Sequence, residues 1–211
     1  LLACAPAAIL AGIALWLGSL PLCLLAAAAA GWLVGSALTC LYDTILRALR
    51  DEPGFWWHTY KRVWKQSFKS SLVPGMVFTL LWTLVAYAGF ALPQMTTVSA
   101  GFTLVLLLDM VLLLTLGSYY WMQNALFDAP ISKKLSNCVR MLLGFLPRTA
   151  LSAAFQLGYW LLMAAVIPRC AFIFLLTGLW LPNLLAMLAV YAPIEKSLHL
   201  EEQIQAKREN D

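Results

Sequence analysis

Along most of this chain the apolar residues run on without interruption, and the polar ones are confined to the breaks between runs. Proline, glycine and clustered charge divide the sequence into six apolar stretches, at 1–20, 24–46, 73–92, 98–122, 149–167 and 171–191. A helix rises about 1.5 Å per residue and the hydrocarbon core of a bilayer is about 30 Å thick, so each stretch can cross it. The turns at Ser19-Leu20-Pro21, 93–97 and Pro168-Arg169-Cys170 are short, which pairs consecutive spans into three antiparallel hairpins. The pattern predicts an all-α, polytopic helical membrane protein. It has about six transmembrane helices in one transmembrane domain over 1–192, and a cytoplasmic tail over 193–211.

The two long polar breaks carry a different period. Over 54–69, a rotation of 100° per residue gathers Trp56, Trp57, Tyr60, Val63, Trp64 and Phe68 on one side and His58, Lys61, Arg62, Lys65 and Lys69 on another. Over 132–146, Ser132 offers an N-cap, and Leu135, Cys138, Val139, Leu142, Phe145 and Leu146 form a stripe opposite Lys133, Asn137 and Arg140. Both are expected as interfacial amphipathic helices lying in the headgroup layer, where cations meet anionic lipid and aromatic side chains face the acyl chains.

Composition strengthens this reading. The chain is 62% hydrophobic and 11% charged, against about 25% charged for a soluble domain, which leaves too little polar surface to cover a water-soluble fold. The net charge of +4 reflects topology rather than affinity for nucleic acid. Six Lys and Arg lie over 47–69, four over 133–148, three after Ile194 and one, Arg169, in a short turn. Basic loops stay inside, so the long breaks and both termini of this multi-pass protein are expected in the cytoplasm. No basic n-region precedes the first apolar run, so a signal peptide is not expected there.

Few residues carry candidate chemistry. Gly31 and Gly35 form a GxxxG step, extended by Ala27 and Thr39 into a small-residue stripe for close helix packing, chiefly within one molecule, with a homo-oligomer face as the alternative. Asp43 and Arg47 stand four apart, a spacing at which opposite charges pair. Asp109 is an ionisable residue in the middle of a span, and Gln156 and Asn183 fall at the same expected depth in theirs. Pro182 removes a backbone donor beside Asn183, which can free carbonyls to line a cavity. These four residues form a candidate midplane polar site, against the plainer reading of a buried hydrogen-bonded cluster that orients helices. Tyr119, Tyr120 and Trp121 at a span's end are expected as interfacial anchors.

Five scattered cysteines with no CxxC are expected as packed thiols, with no metal and no cofactor. The two histidines lie in different polar segments, and HExxH, GxSxG, Walker A and GxGxxG patterns are missing, so an enzyme is not expected.

The residues Leu41-Tyr42, Leu46-Arg47, Arg50-Asp51-Glu52-Pro53-Gly54, Trp56-Trp57, Tyr60-Lys61-Arg62, Trp64-Lys65 and Phe68 resemble the YesL-like family of bacterial integral membrane proteins. The Ser19-Leu20-Pro21 turn and the Leu72-Val73-Pro74-Gly75 start of the third span fit the same pattern, whereas Leu22-Cys23-Leu24 replaces the family's frequent Thr-Ile-Gly-like step. The resemblance implies no catalytic residue. It implies an accessory role beside bacterial carbohydrate uptake systems of the ABC class, with the lipid bilayer and permease subunits as expected partners. The competing expectation is a small transporter or channel built on Asp109, Gln156 and Asn183.

Overall fold

Local signals set the helix starts. Ser19 precedes α1 (Leu20–Leu49) with a proline in the first turn, where its missing N–H costs nothing. Ser99 caps α3 (Ala100–Leu126), its hydroxyl accepting from the Gly101 N–H at 3.3 Å. The other helices are α2 (Trp56–Ala91), α4 (Ile131–Gly144), α5 (Leu146–Val166) and α6 (Trp180–Leu198). The computed structural model describes residues 9, 13, 18–50, 56–91, 99–166, 177, 178 and 180–198. Among them there is no strand, and the chain is a helical membrane protein. It divides into two compact units, Leu1–Leu135 and Ser136–Asp211.

Among the described residues three helical segments are long and apolar enough to cross a membrane: Leu20–Leu49, Trp57–Gly89 and Ala100–Leu126. A fourth span results if Ile131–Gly144 and Leu146–Met163, which meet at a bend of 99°, count as one broken crossing. The span expected over 1–20 lies almost wholly outside the described residues. Of the one expected over 171–191, the described part contains the short apolar helix Trp180–Tyr191.

Two expectations change. The basic aromatic segment is not a helix of its own: it is the first part of α2, which continues through Pro74 into the third span. Within α2 no glycine precedes Pro74, and a proline kinks a helix locally without forcing it to end. The start of α4 also shifts. The Pro130 carbonyl accepts from the N–H groups of Lys133 at 3.0 Å and Lys134 at 3.1 Å, so Ser132 sits inside the first turn rather than capping it.

The first unit is organised by the contact of α1 with α2. A Cβ on Gly31 would collide with the backbone of Met76. One on Gly35 would lie 2.5 Å from the Ser71 carbonyl and 2.9 Å from the Gly75 Cα, and one on Gly75 would strike the Gly31 carbonyl. Only hydrogen fits at these three positions, so the backbones touch. That is how helices gain dispersion energy in lipid, where no hydrophobic force drives them together. Thr79 reinforces the contact by donating to the Ala27 carbonyl at 2.9 Å.

α3 joins this pair with its second half. Gly117 lies under the Phe78 ring, Phe78 meets Trp121 edge-on at 5.7 Å, and Tyr42 donates to the Ser118 hydroxyl at 3.1 Å. Tyr119, Tyr120 and Trp121 are therefore buried core residues rather than interfacial anchors. In the second unit, Thr177 donates to the Tyr159 hydroxyl at 2.8 Å and Tyr159 donates to the Gly178 carbonyl at 2.7 Å, fastening α5 to the turn before α6. Gly178 adopts φ +49° there, a conformation glycine accepts without strain.

Candidate functional site

The most concentrated polar chemistry lies at the basic end of the first unit. Four side chains, one each from α1 to α4, meet in a buried hydrogen-bonded chain: Thr39, Ser71, Asn124 and Lys134. Lys134 is only 2% exposed and donates from Nζ to Asn124 Oδ1 at 2.7 Å. Asn124 Nδ2 donates its two hydrogens to Thr39 Oγ1 at 2.9 Å and Ser71 Oγ at 2.8 Å. The Thr39 and Ser71 hydroxyls are 3.1 Å apart, and Thr39 also reaches the Gly35 carbonyl at 3.0 Å.

The direction of every bond follows from one fact. An ammonium only donates, so the Asn124 oxygen must face Lys134 and its amide hydrogens must face the hydroxyls. Ser71 then donates to Thr39, and Thr39 to the Gly35 carbonyl. The network runs from a cation to a backbone acceptor with each amide and hydroxyl hydrogen used.

The ammonium keeps two further N–H directions, and among the described residues Asn124 is its one hydrogen-bond acceptor. Burial pushes the Lys134 ammonium below the ordinary lysine range, and the negative charge of Asp128 works against that shift. Next to this network Asp43 and Arg47 form the ion pair that their spacing predicts, at 2.8 Å on α1.

The residues singled out in the sequence take varied places. Gly31 and Gly35 line the α1–α2 contact. On α2, Tyr60, Trp64 and Phe68 are half-buried around buried Val63, and the Cys40 thiol reaches the Tyr60 carbonyl at 3.7 Å. Part of the apolar side of this segment thus lies against α1, while Trp57 on the same side stays exposed. Trp57, Lys61, Arg62, Lys65 and Lys69 remain exposed, with Lys61 Nζ 5.0 Å from the centre of the Trp57 ring. The side chain of Trp56 lies outside the described residues.

On α4 the expected stripe divides. Cys138 is buried, on the same face as Lys134 and Met141, whereas Leu135 and Val139 are exposed with Lys133 and Arg140, as is Leu146 at the start of α5. Asp109 is exposed on α3 in the first unit, while Gln156 and Pro182 are buried and Asn183 half-buried in the second.

Asn124 and Lys134 were not visible as partners in the sequence, although one signal existed. Lys134, Cys138 and Met141 stand at i, i+4 and i+7, which puts this lysine on the inward face of its helix.

Residues 13–88 match the family described as Protein of unknown function, DUF624. This domain is carried by YesL-like proteins. The matched stretch holds Gly31, Gly35, Thr39, Ser71 and Gly75, that is, the α1–α2 contact and half of the polar network. Asn124 and Lys134 lie beyond it. No curated protein and no solved structure matches the chain.

Proposed function

We propose that this protein is a non-enzymatic accessory component of the bacterial cytoplasmic membrane that holds partner membrane proteins, with permease subunits of a carbohydrate ABC uptake system as the first candidates. One observation carries the reading. The first part of α2 uses one face to pack on α1 and leaves a continuous basic face, His58, Lys61, Arg62, Lys65 and Lys69, exposed beside Trp57. Such a face suits an acidic protein surface at the membrane boundary, and basic segments of this kind stay on the cytoplasmic side. The polar network adds support, because its amides and hydroxyls are spent on joining helices. The resemblance to YesL-like proteins supplies the link to carbohydrate uptake.

The transport reading gains less. It needs Asp109 turned toward protein or water with Gln156 and Asn183, and Asp109 is exposed on a face of leucine and valine.

Affinity purification of the full chain from mild detergent tests the proposal. A stoichiometric membrane-protein partner is expected with the wild type and lost when Lys61, Arg62 and Lys65 are changed together to glutamate. Recovery of the chain alone in repeated preparations removes the reading.

A further inference from the structure

Asp109 sits in a place its chemistry does not suit. It is the tenth residue of α3, about 14 Å from the start of the helix at about 1.5 Å per residue. The polar end begins about 15 Å further on, near Tyr119, so the carboxylate stands in the middle of the apolar part. Its neighbours on the helix surface, Val105, Leu108 and Leu112, are exposed. Among the described residues Asp109 has neither a hydrogen bond nor an ion pair. An ionised carboxylate facing acyl chains is costly, and lipid supplies no donor to offset it.

We propose that this face of α3 is a docking surface for a transmembrane helix of another protein bearing lysine or arginine at mid-depth. The occupant is fixed by charge. None of the chain's own 14 Lys and Arg residues lies between 73 and 132 or within 1–46, and those elsewhere are in the basic breaks, one short turn and the tail. A second copy docking about a twofold axis would bring another Asp109 to the first, and like carboxylates oppose each other. A heterologous helix with a central cation neutralises the carboxylate, gives its own cation a partner, and packs aliphatic side chains against Val105, Leu108 and Leu112. The surface rests on the accessory reading and names the chemistry of the partner's contact.

The experiment uses the full chain in phosphatidylcholine vesicles with synthetic polyleucine transmembrane helices that carry one central lysine or none, association being read by energy transfer. The lysine helix is expected to bind about tenfold more tightly than the plain helix, and Asp109→Leu is expected to abolish the preference. A fluorophore on Leu108→Cys, in a cysteine-free background that keeps Asp109, is expected to be quenched by brominated lipid and protected by the lysine helix.

Equal binding of the two helices, a preference that survives in Asp109→Leu, or a fluorophore that brominated lipid does not reach each overturns the proposal. So does self-association of the chain that excludes the lysine helix. Any of these leaves co-purification of a partner through α2 untouched. Recovery of the chain alone would instead remove the accessory reading without altering the vesicle result.

Discussion

The two halves of α3 are similarly apolar in sequence yet lead different lives. From Leu113 to Asn124 all but Leu116 are buried, against Phe78, Tyr42, Thr39 and Ser71 among others. From Gly101 to Leu112 most side chains are exposed, Leu104 to 60%. The difference follows the polar groups. Thr115, Ser118, Gln123 and Asn124, with the hydroxyls of Tyr119 and Tyr120, all fall in the second half, and the first half has only Thr103, in its first turn, and Asp109 among Leu, Val, Met and Phe. In water both halves would be driven inward by their apolar area. In lipid the leucines have nothing to escape from, whereas a polar group must find protein or pay for its isolation. Packing in this protein follows the polar side chains more closely than the apolar ones.

The sharpest way to break the contrast is Asn124→Leu. The substitution keeps the volume similar but strips Lys134 of its acceptor and Thr39 and Ser71 of their donor, leaving a buried ammonium without a partner. A loss of about 3 kcal/mol is expected, read as a lowered midpoint of thermal unfolding in detergent. A midpoint unchanged from wild type would mean that the network does not hold the four helices.

A smaller effect comes from pH. The native pKa of Lys134 lies below its ordinary 10.5, so between the native value and 10.5 the unfolded chain holds more proton. The charged form is the one that burial penalises, and native stability contributed by this group rises with pH through that window, reaching its full value above 10.5. The unfolding midpoint of the wild type should therefore climb relative to Lys134→Met as the buffer is made more alkaline. A difference that stays flat or falls contradicts the burial of a charged lysine.

The smallest effect is expected in the bare half. Leu104→Ala and Leu108→Ala remove side chains that touch little protein, and each should change stability by less than about 0.5 kcal/mol. A loss in the range of a core cavity, about 2 kcal/mol or more, would show that the half is packed after all.

Three of the spans and the α1–α2 contact were legible because each rests on a periodic signal within one segment: an apolar run, or the four-residue spacing of Ala27, Gly31, Gly35 and Thr39. The polar network was not, because its members come from four elements and each reads blandly alone. Lys134 follows Lys133 and shares its expected surface role, and one rotation of 100° separates a solvated cation from a buried one. Tyr119, Tyr120 and Trp121 misled for a related reason, since an aromatic ring with a polar handle serves a membrane boundary and a polar core equally well. For Asp109 the depth could be read and the direction could not, because leucine and valine surround it on every side of the helix.

The unbroken course of α2 makes it a lever. Eighteen residues precede Pro74, about 27 Å of helix, and the contact of Gly75 with Gly31 and Gly35 stands where a fulcrum would. A change of 10° in tilt about that point displaces the tip near Trp57 by about 5 Å, and the membrane-crossing arm swings by a comparable amount in the opposite sense. A force applied to the basic arm is thereby passed along one continuous helix, and the backbone bond that Pro74 removes makes the fulcrum the place where that helix bends most easily.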